Sequence, residues 1–172
     1  MMRKLVVVPA IVVVAACAST QSTSGSAAVA QSAASSGGAA RWSGNFKQTK
    51  MPTAQMGAAT PNRGYGSITV TQAPGETDRV HVELSVNAPV APGTQIAWAI
   101  FDGACGSAAP MVTGENQFPI MEINGTGGGY VKTDMSITLD SRAQYHANVY
   151  WTTHARDLGD VMMCAPLAVS GR

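Results

Sequence analysis

The chain is predicted to fold as an all-β sandwich or barrel of about eight short strands. Three observations carry this. Apolar and polar residues alternate in run after run, and no stretch keeps a helical period. Turn dipeptides separate the runs: Pro74-Gly75, Pro92-Gly93, Asp102-Gly103, Asn124-Gly125 and Asp140-Ser141. Two cysteines, Cys105 in a Gly-rich turn and Cys164 in the last apolar run, stand 59 positions apart, placed to staple a mid-chain loop to the final strand.

The N-terminal part has a different composition and a different task. Arg3 and Lys4 precede an almost wholly apolar run, residues 5–16, which contains Pro9 and ends in small residues. At 12 residues the run is too short to span a bilayer, which takes about 20, and it reads as a secretory signal. Residues 18–40 are Ser, Ala, Gly, Thr and Gln with one Val and no charge, a composition that cannot bury a core. They read as a flexible tether with a root-mean-square span of roughly 25 Å. The folded domain is therefore expected over residues 41–172, opening at Arg41-Trp42.

Within the domain the clearest strand is 79–86, with Val80, Val82, Leu84 and Val86 on one face and His81, Glu83 and Ser85 on the other. The same alternation marks 65–72 (Ile68, Val70), 95–101 (Ile96, Trp98, Ile100) and 131–139 (Val131, Met135, Ile137, Leu139). It returns at 145–151 (Tyr145, Ala147, Val149, Trp151) and 161–167, and shorter runs at 44–49 and 119–123 complete the set. Glycines 125, 127, 128 and 129 are too dense for a strand interior and are read as a loop or bulge. No helix and no Lys-Ser/Thr follows them, so they do not form a phosphate-binding loop.

Charge and motifs exclude several function classes. Arg3 and Lys4 are two of eleven basic residues, leaving nine against ten acidic ones and a mature net charge of −1. Nothing in that balance attracts nucleic acid. His81, His146 and His154 are the only histidines, no two at metal-ligand spacing, and no Gly-x-Ser-x-Gly elbow occurs. His81 shares a strand face with Glu83, which reads as acid–base chemistry or, more simply, as a solvated cross-strand pair. Met51, Met56, Met111, Met121, Met135, Met162 and Met163 lie in the domain; thioether sulfur suits Cu(I) and also fills cores, and Met111 with His154 are the candidate ligands of a copper-handling protein. Trp42, Tyr65, His146, Tyr150 and Thr152 either form an exposed binding patch or pack between sheets.

Val14-Ala15-Ala16-Cys17 resembles the lipobox of bacterial lipoproteins, in which the signal is cut before a cysteine that receives a diacylglyceryl group. The resemblance implies a signal peptide over 1–16 and a lipid on Cys17 as the membrane partner. Ala18, where an aspartate would retain the protein at the inner membrane, implies the outer membrane. The alternative, an ordinary signal cut later with Cys17 discarded, leaves an odd cysteine count unexplained. Secretion places Cys105 and Cys164 where a disulfide persists; the alternative is two separately buried thiols.

Cys105-Gly-Ser-Ala-Ala-Pro110-Met111, with Cys164, resembles the disulfide segment and last-strand cysteine of copper/zinc superoxide dismutases over roughly residues 65–171. Lipoproteins with chordin-like sandwiches are similar too. The resemblance implies a Greek-key barrel and the Cys105–Cys164 pairing. It does not imply the activity. Trp98-Ala99-Ile100 and Met111 stand where copper ligands belong, no His or Asp is present from 112 to 133, and Val161 replaces the substrate-steering arginine. His154, before Asp157-Leu158-Gly159, is similar to the family's final ligand region but two residues short in spacing. The expectation is an envelope lipoprotein carrying a binding or structural module, with no metal, no cofactor and no reaction, and with a small ligand or envelope protein as partner. The alternatives are a periplasmic copper-handling protein using Met111 and His154, or a divergent enzyme.

Overall fold

The computed structural model describes residues 39–49, 64–155, 157 and 160–170, all within one unit, Ser35–Arg172. The signal segment, Cys17 and all but the end of the tether lie outside the described residues, as do Met51, Met56, Arg156, Leu158 and Gly159. Nine strands occur in the described part: β1 (Arg41–Gln48), β2 (Tyr65–Gln72), β3 (Val80–Asn87), β4 (Gln95–Ile96), β5 (Trp98–Asp102), β6 (Met121–Glu122), β7 (Gly128–Met135), β8 (Tyr145–Tyr150) and β9 (Val161–Ser170). Seven form one antiparallel sheet in the order β5-β8-β9-β1-β2-β3-β7, and β4 pairs with β6 alone. β1, β2 and β3 form a meander, β9 returns beside β1, and β7 returns beside β3 only after the chain has laid down β4 and β5 elsewhere. That is a Greek-key arrangement in a curled half-barrel.

The alternation in the sequence explains the inner face. Trp42, Phe46, Ile68, Val70, Val80, Val82, Leu84 and Val86 are buried against Trp98, Ile100, Met121, Ile123, Val149 and Met163. Trp98 meets Phe118 edge to face at 5.0 Å, and its indole N–H donates to the Pro119 carbonyl at 2.8 Å, so this large polar aromatic is satisfied inside the core.

Three local readings shift. The single strand expected over 95–101 is two, because the segment changes neighbour. Gln95 and Ile96 pair with β6, Trp98 to Asp102 pair with β8, and Ala97 sits between, bonded to Thr152 and Tyr150. Pairing along the strand expected over 131–139 stops at Met135, although Ile137 and Leu139 stay buried. Gly128 and Gly129 belong to β7 and not to a loop. A Cβ on Gly129 would stand 2.7 Å from the Met121 sulfur and 2.8 Å from Ile123, so glycine lets β6 lie close over β7. Gly127, at φ +83°, makes the turn before it.

Cys105 and Cys164 are disulfide-bonded, with Cα atoms 6.0 Å apart. Closing a loop of about 60 residues contributes roughly 4 kcal/mol in the chain-entropy account. Because both cysteines serve one bond, Cys105→Ser and Cys164→Ser should lower the melting temperature by similar amounts. A marked difference between them, or no change on adding reductant, would show that the bond does not hold the fold together.

Candidate functional site

The outer face of the sheet has two unlike halves. Over β5, β8 and the first half of β9, residues 161–165, it is covered. Outward-pointing Phe101, His146, Asn148, Tyr150 and Met162 are buried, and every residue of β8 is buried on both faces. The cover is the segment after β5. Its Cys105 is bonded to Cys164 of β9, the Asp102 N–H donates to the Pro110 carbonyl, the Val112 N–H donates to Ile100, and Met111 bridges Phe101. Phe101 stacks on His146 at 5.4 Å beneath it.

Over β1, β2, β3 and β7 the outer face is open, and the strand register sets its side chains in rows. One row is Lys47, Tyr65, Asn87 and Gly128; the next is Asn45, Ser67, Ser85 and Tyr130. Then come Ser43, Thr69, Glu83 and Lys132, and finally Arg41, Thr71, His81 and Asp134. Tyr65 is 63% and Tyr130 60% exposed. A depression of about 610 Å³ runs among Tyr65, Ser67, Ser85 and Asn87, and a second of about 550 Å³ among Ser43, Asn45, Thr69 and Pro166; both include Asn45 and Ser67.

At the other end of this face the charges are paired. The Lys132 ammonium donates to Glu83 Oε1 at 2.7 Å, and His81 Nδ1 lies 2.8 Å from Asp134 Oδ1 and its Nε2 3.4 Å from Glu83 Oε1. The bond from Lys132, with that from His81 behind it, holds the Glu83 carboxyl below its ordinary range, and Glu83 raises Lys132 in return. The His81–Glu83 pair read from the sequence is thus part of an exposed cross-strand ladder.

His154 is 72% exposed in its side chain, and its Nδ1 lies 3.6 Å from Glu115 Oε1. The two flank an open depression of about 550 Å³ lined also by Asn116, Phe118, Pro119 and Ile120. Glu115 Oε1 also accepts the Ala155 N–H at 2.8 Å, so this carboxylate ties the segment after β8 to the 3-10 turn Glu115–Gln117. Met111 is half-buried, packed on the core. Among the described residues no three His, Cys, Asp or Glu side chains converge as a metal site. Of the aromatics proposed for a patch, Trp42, His146 and Tyr150 are buried, while Tyr65 is exposed. Tyr130 was not singled out; a Tyr standing out of phase with Val131 in a Gly-rich run was the available signal.

No protein-family model, curated protein or solved structure matches the chain.

His146 has no exposed surface; its Nδ1 meets the Gly103 carbonyl at 3.0 Å and its Nε2 has no partner. Burial pushes its pKa below the ordinary value, against the backbone bonds to Gly103 and Asp102. In the unfolded chain the imidazole titrates near about 6.5, so below that pH the unfolded state binds the extra proton. Stability should be full above about pH 6.5 and fall below it by up to about 1.4 kcal/mol per pH unit, until the folded value is reached. Glu83 and Asp140, whose folded values are depressed, lose their contributions lower down, in the carboxylate range. Denaturant melts from about pH 7.5 to about pH 5.5 should show this slope, and His146→Phe should flatten it; an unchanged slope in the variant would assign it elsewhere.

Proposed function

We propose that this chain is a lipid-anchored protein of the bacterial envelope whose β domain is a non-enzymatic binding module. One observation supports the binding assignment above others. The outer sheet face is closed and stapled over β8 and the first half of β9 but open over β1, β2, β3 and β7, where Tyr65 and Tyr130 stand in solvent. Exposed rings on paired strands add little to folding and offer a ligand a rigid apolar surface. The envelope assignment is supported by the lipobox-like residues 14–17 and by a disulfide of the kind that persists in oxidising compartments. Cys17 carries the lipid, and Ala18 directs the protein to the outer membrane. The resemblance to a dismutase-like or chordin-like sandwich belongs to the same proposal: the framework is kept and the metal ligands are replaced.

A second reading is favoured by the His154–Glu115 pair in its open depression, either as a copper site with Met111 or as the acid–base pair of a divergent enzyme. Glu115's bond to the Ala155 N–H accounts for the pair as a loop tie and weighs against it.

The full chain, produced in a diderm bacterium, should fractionate with membranes and take up labelled fatty acid, and Cys17→Ala should be soluble and unlabelled. A wild-type chain without lipid would sink the anchor. Anaerobic Cu(I) titration should find no tight site; stoichiometric copper lost in Met111→Leu or His154→Ala would replace the binding module with copper handling.

A further inference from the structure

We infer that the open sheet face binds an extended, uncharged glycan chain lying along the row Asn45, Ser67, Ser85 and Tyr130, across β1, β2, β3 and β7, with Tyr65 beside it on β2. The inference rests on the binding-module reading above and names its ligand.

The row Asn45, Ser67, Ser85 runs across three neighbouring strands and ends at Tyr130, while Tyr65 and Asn87 stand one pleat away. Strands are about 4.8 Å apart and same-face residues about 6.8 Å apart along a strand, which puts the two tyrosines about 12 Å apart on the diagonal. A pyranose unit is about as long as the spacing between strands, so successive rings of an extended glycan meet successive strands. Serine at 67 and 85 keeps the floor low, and the two depressions join along it at Asn45 and Ser67.

The chemistry of the row selects the ligand class. Asn and Ser side chains each donate and accept, which suits hydroxyl and acetamido groups. Among the described residues, no side chain of Asn45, Ser67, Ser85 or Asn87 is engaged in a hydrogen bond with another group, so their capacity is open to a ligand. The other charges stand in the two far rows: Glu83 against Lys132, and Asp134, which His81 bonds, with Arg41. An acidic polymer finds one lysine, Lys47, at the edge of the row. An apolar peptide finds a polar floor with its two rings separated. A neutral polyhydroxylated chain finds hydrogen-bond partners along its edge, a tyrosine face at the β7 end of the row and another beside it on β2.

The test uses the full chain purified in mild detergent, with chitotetraose and cellotetraose as soluble probes and insoluble peptidoglycan as the polymeric one. Binding to at least one is expected. Tyr65→Ala and Tyr130→Ala should each weaken it about five- to ten-fold, and Asn45→Ala with Asn87→Ala should abolish it. His154→Ala should bind as wild type. Both tyrosines are exposed, so these variants should keep the wild-type melting temperature. No retention on any glycan, or retention indifferent to both tyrosines, overturns the inference. A photo-crosslinking amino acid placed at 65 and at 130 in living cells separates this failure from that of the wider reading. Adducts with glycan support the inference. Adducts with another protein, with a second copy or with the chain's own tether overturn it but leave a binding face; no adduct at either position overturns both.

Discussion

β8 and the first half of β9, residues 161–165, carry buried side chains on both faces, a condition that an antiparallel sheet with one core does not meet by itself. A second cover is required, and here it is an irregular segment rather than a helix or another sheet. Irregular backbone contributes few ladder hydrogen bonds, so the cover depends on its fastenings: the Cys105–Cys164 bond, the Asp102 and Val112 backbone bonds, and the Phe101–His146 stack. The disulfide spans the longest loop of these and so removes the most unfolded-chain freedom. Fixing that cover divides the outer face into a closed half and an open one.

The inner core has a matching problem at its other side. The sheet is an open half-barrel, and its last strand, β7, would leave the inner face uncovered without β4 and β6. Residues 95–102 solve it by serving two neighbours in turn, β6 and then β8, with Ala97 as the crossing point. A side chain larger than hydrogen at Gly129 would push β6 away, and Met121 and Ile123 would lose their seat on the core.

Much of this was legible in the sequence because period two is a strong local signal. Residues 65–72 are a strand with the expected bounds, Val80, Val82, Leu84 and Val86 face inward as read, and the cysteine pair is bonded. What was not legible depends on partners far away in the chain. The Gly-rich run became strand because β3 offers it a ladder and β6 needs the space. Tyr150 and His146 were placed on the face opposite Tyr145, which is right, but burial of that face comes from a loop some 40 residues earlier that no periodicity announces. The open face was half visible. Tyr65, His81 and Glu83 stood out one by one, whereas the row Asn45, Ser67, Ser85 and Tyr130 exists only through the register of four strands.

The electrostatics of that face shape how it can work. Opposite charges interspersed across it, Glu83 and Asp134 among Arg41, Lys47 and Lys132, leave little long-range field, so a partner is not steered in from a distance. Recognition on a shallow, nearly neutral surface then rests on contact alone, and single contacts of this kind are weak. The proposed anchor compensates through geometry. As a tether of roughly 25 Å, residues 18–40 would confine the domain to a thin layer above the membrane and raise the effective concentration of any polymer held in the same layer. On the glycan reading, many anchored copies along one polymer would bind together what none would hold alone, and each could release and rebind without the assembly letting go.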